Sequence, residues 1–206
     1  GTNNVATGMN ALTANTTGTR NNALGRDALK SNTTANDNTG LGDQALQANT
    51  TGSENTAVGR GALYNNTTAD NNTAVGYYAM VSNTTGERNT ATGALSLDAN
   101  TSGNYNTANG YNTLGANTTG AYNSGFGDSV LVNNTTGVRN SAVGHAALID
   151  NTTGDYNTAI GMQALSANTT ADNNTAVGYS SLNANTTGAF NAASGYVALL
   201  NVTTGN

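Results

Sequence analysis

The chain has no cysteine, no proline and no tryptophan among its 206 residues. Without cysteine there is no disulfide framework, no thiolate nucleophile and no thiolate-bound metal. A single histidine, His145, excludes any site that needs two imidazoles. Charge is scarce too: 8% of residues are Asp, Glu, Lys or Arg, against about 25% in ordinary domains. The net charge of −5 argues against a nucleic-acid partner, which attracts basic surfaces. No apolar run approaches the ~20 residues that span a bilayer. No secretory signal pattern is present. The first residue is Gly1 rather than Met, so a processed chain, or a segment of a longer fibre, is expected.

What remains is Asn, Thr, Gly and Ala in strict order. The Gly of Asn-Thr-Ala-Val-Gly recurs at Gly8, Gly25, Gly42, Gly59 and onward to Gly195, always 17 residues apart. Three leading residues, eleven units of 17 and a last one of 16 fill residues 1–206 as a single repeat array. Positions are counted here from the Asn four residues before that Gly. Position 1 is Asn throughout, position 3 Ala or Gly, position 5 Gly, and position 13 Thr. Position 9 is Leu except for Met80, and position 12 is Asn except for Val202. Variation gathers at positions 6, 7, 10, 16 and 17. Disorder does not keep such a phase, whereas stacking of equivalent coils does.

Seventeen residues with two Gly-bearing turns leave no room for a helical hairpin, and Asn-Thr-Thr-Gly is poor helix sequence. One short helix per coil, as in leucine-rich repeats, is the runner-up, with too few Leu positions to sustain it. The pattern predicts an all-β fold, a parallel β-solenoid or β-roll of about twelve coils. Thr56–Val58 reads as one strand, Ala62–Tyr64 as a second, and Gly59 as the corner between them. Val at position 4 and Leu at position 9 are expected to point inward. Ala at positions 3 and 8 is expected to allow close approach of a neighbour. Stacking at ~4.8 Å makes a rod of roughly 55–60 Å. Equivalent residues then form ladders, here Asn55, Gly59, Leu63, Asn66, Thr67, Asn72 and Gly76. Buried amides in register satisfy one another. A core this thin suggests lateral association, as a trimer or a polymer.

Asn72–Ala79, Asn140–Ala147 and Asn157–Ala164 resemble the head repeat of trimeric autotransporter adhesins, whose motif is similar to Asn-Ser-Thr-Ala-Ile-Gly-x-x-Ala. The likeness covers about eight residues of each unit, in all twelve units. The family's repeats are shorter, and here a Leu-x-x-Asn-Thr-Thr segment is added. The full 17-residue unit also looks like arrays in phage-type tail fibres and bacterial surface proteins. These resemblances imply a left-handed parallel β-roll with three chains, an extracellular place on a cell or virion surface, and a shaft or adhesin role without catalysis.

No catalytic constellation stands out. His145 falls at a variable position, and the acids are scattered over several phases, with no calcium-binding Gly-Gly-x-Gly-x-Asp pattern and no pair for glycanase work. No catalytic, cofactor or metal site is expected. Position 17 aligns Arg88, Tyr105, Tyr122, Arg139, Tyr156, Asn173 and Phe190, which reads either as stiffening stacks or as an adhesive stripe (Tyr105, Tyr122, Tyr156, Phe190) for a glycan or cell-surface ligand. Tyr77, Tyr111, Tyr179 and Tyr196 share position 6. Asn15, Asn32, Asn49, Asn66, Asn83, Asn100, Asn117, Asn134, Asn151, Asn168 and Asn185 are formal N-glycan acceptors; a return turn explains them equally well. The expected role is a structural fibre that associates with itself. A helical filament of end-to-end subunits is one alternative. An ice-binding solenoid, using the Asn-x-Thr pairs at positions 12 and 14 and the Thr file from Thr16 to Thr203, is another.

Overall fold

A computed structural model of the chain describes residues 1–205. It is all-β, a solenoid with one three-residue strand per coil, from β1 (Val5–Thr7) to β12 (Ala192–Ser194). The twelve strands form one parallel sheet in chain order. Each residue pairs with the one 17 positions on, as in Thr56 with Thr73 and Val58 with Val75. No helix long and apolar enough to cross a membrane occurs among the described residues.

The strand turns the opposite way from the expectation for position 4. Ala57, Ala74 and Ala91 at position 3 are fully buried and their equivalents from Ala23 to Ala193 are buried too, while Leu24, Val75, Phe126, Val143, Ile160 and Val177 at position 4 are exposed. Alternate strand residues face opposite sides, so an inward position 3 sends positions 2 and 4 outward. The interior is too narrow for anything larger. A Cβ added to Gly40 at position 3 would already sit 3.4 Å from Leu29 Cγ across the coil. Position-3 alanines are therefore core residues, not a surface for a neighbour.

The segment 62–64 is not a second strand either. Ala62 and Leu63 are both fully buried, and a strand cannot send consecutive side chains to one side. The chain instead makes three overlapping turns. In one coil Ala28 N–H donates to Gly25 O (3.4 Å), Lys30 N–H to Asp27 O (3.3 Å) and Asn32 N–H to Leu29 O (3.1 Å). Positions 7 and 9 adopt left-handed backbone, Asp27 at φ 56° and Leu29 at φ 50°. That turns the intervening amides along the axis: Asp27 N–H reaches back to Met9 O (2.8 Å) and Leu29 N–H forward to Ala45 O (3.0 Å). Left-handed backbone costs Leu roughly 1–2 kcal/mol, an expense offset by a fully buried side chain in almost every coil.

Volumes inside the coil are matched. Position 8 is Ala in most coils but Thr113 and Val130 in two neighbours, and the strand residue between them is Gly125. A Cβ on Gly125 would lie 2.6 Å from Thr113 Cγ2 and 3.4 Å from Val130 Cγ1. Gly125→Ala is therefore expected to destabilise by about 1–3 kcal/mol through overpacking. Gly40→Ala, whose Cβ would meet Ala45 O at 3.3 Å and Leu29 Cγ at 3.4 Å, a tight fit without overlap, is expected to change stability by less than ~1 kcal/mol. Urea unfolding of the two variants checks the pair; equal effects would refute the volume argument.

Candidate functional site

Every coil but the last is closed by two asparagines that share one carbonyl. Asn38 Nδ2 donates to Gly52 O (2.8 Å) from the start of the coil, and Asn49 Nδ2 donates to the same oxygen (2.8 Å) from its far side. Both amides also run between coils. Asn55 N–H donates to Asn38 Oδ1 (2.9 Å), and Asn66 Nδ2 to Asn49 Oδ1 (2.9 Å). Asn55, Asn66 and Asn72 are fully buried. The position-12 ladder passes without a break from Asn15 to Asn185. It stops where Val202 replaces Asn, leaving Asn185 Oδ1 buried without a donor. Thr67 adds a third ladder, donating Oγ1 to Thr84 O at 3.3 Å. Gly59 and Gly76 make the glycine file, at φ 130° and 148°.

This geometry bears on the glycan acceptors. Asn32 through Asn185 at position 12 are fully buried, and Asn83 spends both Nδ2 hydrogens, on Asn66 Oδ1 (2.9 Å) and Gly86 O (2.9 Å). Asn15, in the first complete coil, is half-buried and donates to Gly18 O (3.1 Å). The folded coils offer a transferase no free amide at the buried positions. The same burial separates the Asn-x-Thr pairs: position 12 is inside, the position-13 hydroxyl is bound within the ladder, and Thr at position 14 stands exposed alone.

The position-17 side chains do stack. The Tyr105 and Tyr122 rings lie 4.9 Å apart and nearly parallel. Arg139 sits between Tyr122 and Tyr156, 5.3 Å from each ring centre, and donates to Tyr156 Oη at 2.6 Å. Arg88 covers the other face of Tyr105 at 5.4 Å and donates to its hydroxyl. Both faces of Tyr105 and Tyr122 are thus occupied, and a sugar stacks on faces, not edges. Phe190, 74% exposed, lies apart, beyond Asn173. At position 6, Tyr179 and Tyr196 stack at 5.2 Å, and Tyr77 meets Tyr78 edge-on.

Charges pair across successive coils. Arg20 binds Asp37 (2.6 Å) and Arg26 binds Asp43 (2.9 Å). The Arg20 hydrogen bond holds the Asp37 carboxyl below its ordinary range. His145 is exposed, 3.4 Å from Asp128. Partial burial pushes the Asp98 carboxyl up. No group of three His, Asp or Glu side chains able to hold a metal occurs among the described residues.

The surface that sequence reasoning missed is the outer face of the sheet. Position 2 supplies a file of small hydroxyl residues (Thr39, Thr56, Thr73, Thr90, Thr107, Ser124, Ser141, Thr158, Thr175). Beside it runs the apolar position-4 file. Positions 2 and 4 carry no charge in any of the twelve strands. At its first coils this face holds a shallow depression of about 360 Å3, lined by Val5, Thr7, Asn22, Ala23, Leu24, Thr39 and Leu41. The signal was present in the sequence: position 3 never varies beyond Ala and Gly, whereas position 4 admits Thr, Asn and Ser. No protein-family model, no curated protein and no solved structure matches this chain.

Proposed function

We propose that the protein is a structural rod, a shaft of the extracellular fibre or adhesin kind, that works by lying alongside copies of itself. The observation that carries this reading is the uncharged, largely apolar position-4 file along the outer face of an unbroken sheet. At ~4.8 Å per coil and ~10 Å across, the face offers on the order of 500 Å2. With the hydroxyl file included, that is the size of the largest patch a typical soluble chain exposes, and such a patch often marks an interaction site. The face falls below the ~800 Å2 per partner of a standard interface, so association is expected to depend on concentration. A second copy is the natural occupant: a partner that meets every coil without losing step must share its axial repeat. Three chains, as the resemblance to adhesin heads implies, close such a contact around one axis. An end-to-end filament is the second reading; the position-12 amide ladder is interrupted at Val202 in either arrangement.

Sedimentation velocity with electron microscopy tests the reading. The wild-type chain is expected to form discrete oligomers imaged as rods. Val143→Asp with Ile160→Asp, both on the exposed face, is expected to yield a folded monomer by circular dichroism. A wild-type chain that stays monomeric at about 100 μM would overturn lateral association and leave the flat Thr and Val files to another role, ordering water among them.

A further inference from the structure

The position-4 file is not uniformly apolar, and its interruptions form a pattern. Leu24, Leu41, Val58 and Val75 make one block of four coils; Phe126, Val143, Ile160 and Val177 make another. Polar residues stand at both ends, Thr7 and Ser194, and at the centre, Thr92 and Asn109. Asn109 is exposed, unlike the buried asparagines of positions 1 and 12. Its backbone pairs normally between Thr92 and Phe126. Neither coil closure nor either amide ladder uses its side chain.

We infer that Thr92 and Asn109 fix the axial alignment of two copies docked on this face, holding them at zero offset. This rests on the lateral association proposed above and adds what that association leaves open. Apolar contacts alone set register weakly, because every coil offers a similar knob one coil-height further along. A polar group among apolar knobs changes that. An Asn forced against an apolar partner loses water and gains no hydrogen bond, and a lone amide in an apolar seam is a known way of specifying register. At zero offset the polar coils meet polar coils, whether the copies run parallel (Asn109 beside Asn109) or antiparallel (Asn109 beside Thr92). In parallel copies a slip of one coil sets Asn109 against Phe126 and Thr92 against Val75; in antiparallel copies it sets Thr92 against Phe126 or Asn109 against Val75. A slip of six coils restores polar matches but gives up half the contact. Full overlap with matched polarity exists at zero offset alone. Each mismatched amide is expected to disfavour the slipped state by ~10-fold or more.

The absence of cysteine makes the test clean. Thr7→Cys and Ser194→Cys place single thiols at the two ends of the file, and the oligomers are then oxidised. Parallel copies at zero offset cross-link within each variant alone; antiparallel copies at zero offset cross-link only in an equal mixture of the two. Either result supports the inference. Oligomers by sedimentation that form neither cross-link are staggered, and overturn it. In a Thr92→Val, Asn109→Val background, association is expected to persist or tighten while the zero-offset cross-link yield falls at least threefold. An unchanged yield would show that these two residues do not set the alignment. A monomeric wild-type chain would remove the association itself, a failure that sedimentation separates from loss of register.

Discussion

Gly76→Ala is expected to open the rod at its middle. Gly76 sits at φ 148°, where a side chain is strained even with room around it. It also has no room. A Cβ there would lie 2.6 Å from the Gly93 carbonyl carbon of the next coil and closer still to its oxygen. These are backbone atoms held in register by Gly93 N–H donating to Val75 O at 2.8 Å, so they cannot yield as a flexible side chain would. Strain and overlap together are expected to cost about 4 kcal/mol or more. A solenoid is coupled through nearest neighbours, so the damage should concentrate in the coils around Gly76 and Gly93. Hydrogen exchange there should rise well above that of distant coils, and the urea midpoint should fall. The comparison is Gly86→Ala: a Cβ there would also press on Gly103 O and Asn83 Oδ1, at 2.5 Å, but the backbone is not left-handed and the position carries Ala35, Ala69 and Ala171 in other coils, so the coil can shift to admit a methyl and the cost is expected to be clearly smaller than at Gly76. Equal effects at Gly76 and Gly86 would refute the role given to the glycine file.

The second large effect is expected at Asn83. Asn83→Leu keeps the branched skeleton, with bulkier methyls in place of the amide O and N, and removes three hydrogen bonds: to Asn66 Oδ1 (2.9 Å), to Gly86 O (2.9 Å), and from Asn100 Nδ2 (2.8 Å). Gly86 O keeps its bond from Asn72 Nδ2. Asn66 Oδ1 and one Asn100 hydrogen are left buried without that partner. Two such groups, at roughly 1–3 kcal/mol each, predict a loss of about 3–5 kcal/mol. Asn83→Asp gives a pH signature. As a carboxylate it can accept from Asn100 but cannot donate to Asn66, and it is buried. Its folded-state pKa must therefore rise above the ordinary carboxylate value near 4. The folded state then binds more protons than the unfolded chain, and stability falls as pH rises through and above the ordinary value. Denaturation at pH 4 and pH 7 is expected to show the Asp variant closer to wild type at pH 4. A pH-independent deficit would mean that the amide is not buried as described.

Much of this was legible in the sequence. The 17-residue phase can be counted, and with it the coil stacking, the inward Leu of position 9 and the amide and threonine ladders. The Tyr105–Tyr122 stack and the bridging Arg139 follow from phase as well, since equal positions must lie one above another. Chemistry at single residues, such as the compensation of Thr113 and Val130 by Gly125, becomes visible only when the interior is measured.

The sequence by itself determined the architecture, because a period kept without insertion forces equivalent residues into equivalent surroundings. It did not determine which side of the strand is inside. A three-residue strand is too short for alternation to declare itself, and hydrophobicity pointed to Val at position 4. The tertiary structure reversed this through volume: Leu at position 9 fills the narrow coil, only Ala or Gly fits opposite, and the larger apolar side chains are driven onto the outer face. Nor did sequence show that Ala62 and Leu63 occupy a chain of turns. That follows from the left-handed backbone at Leu63, φ 52°, which two consecutive inward residues require.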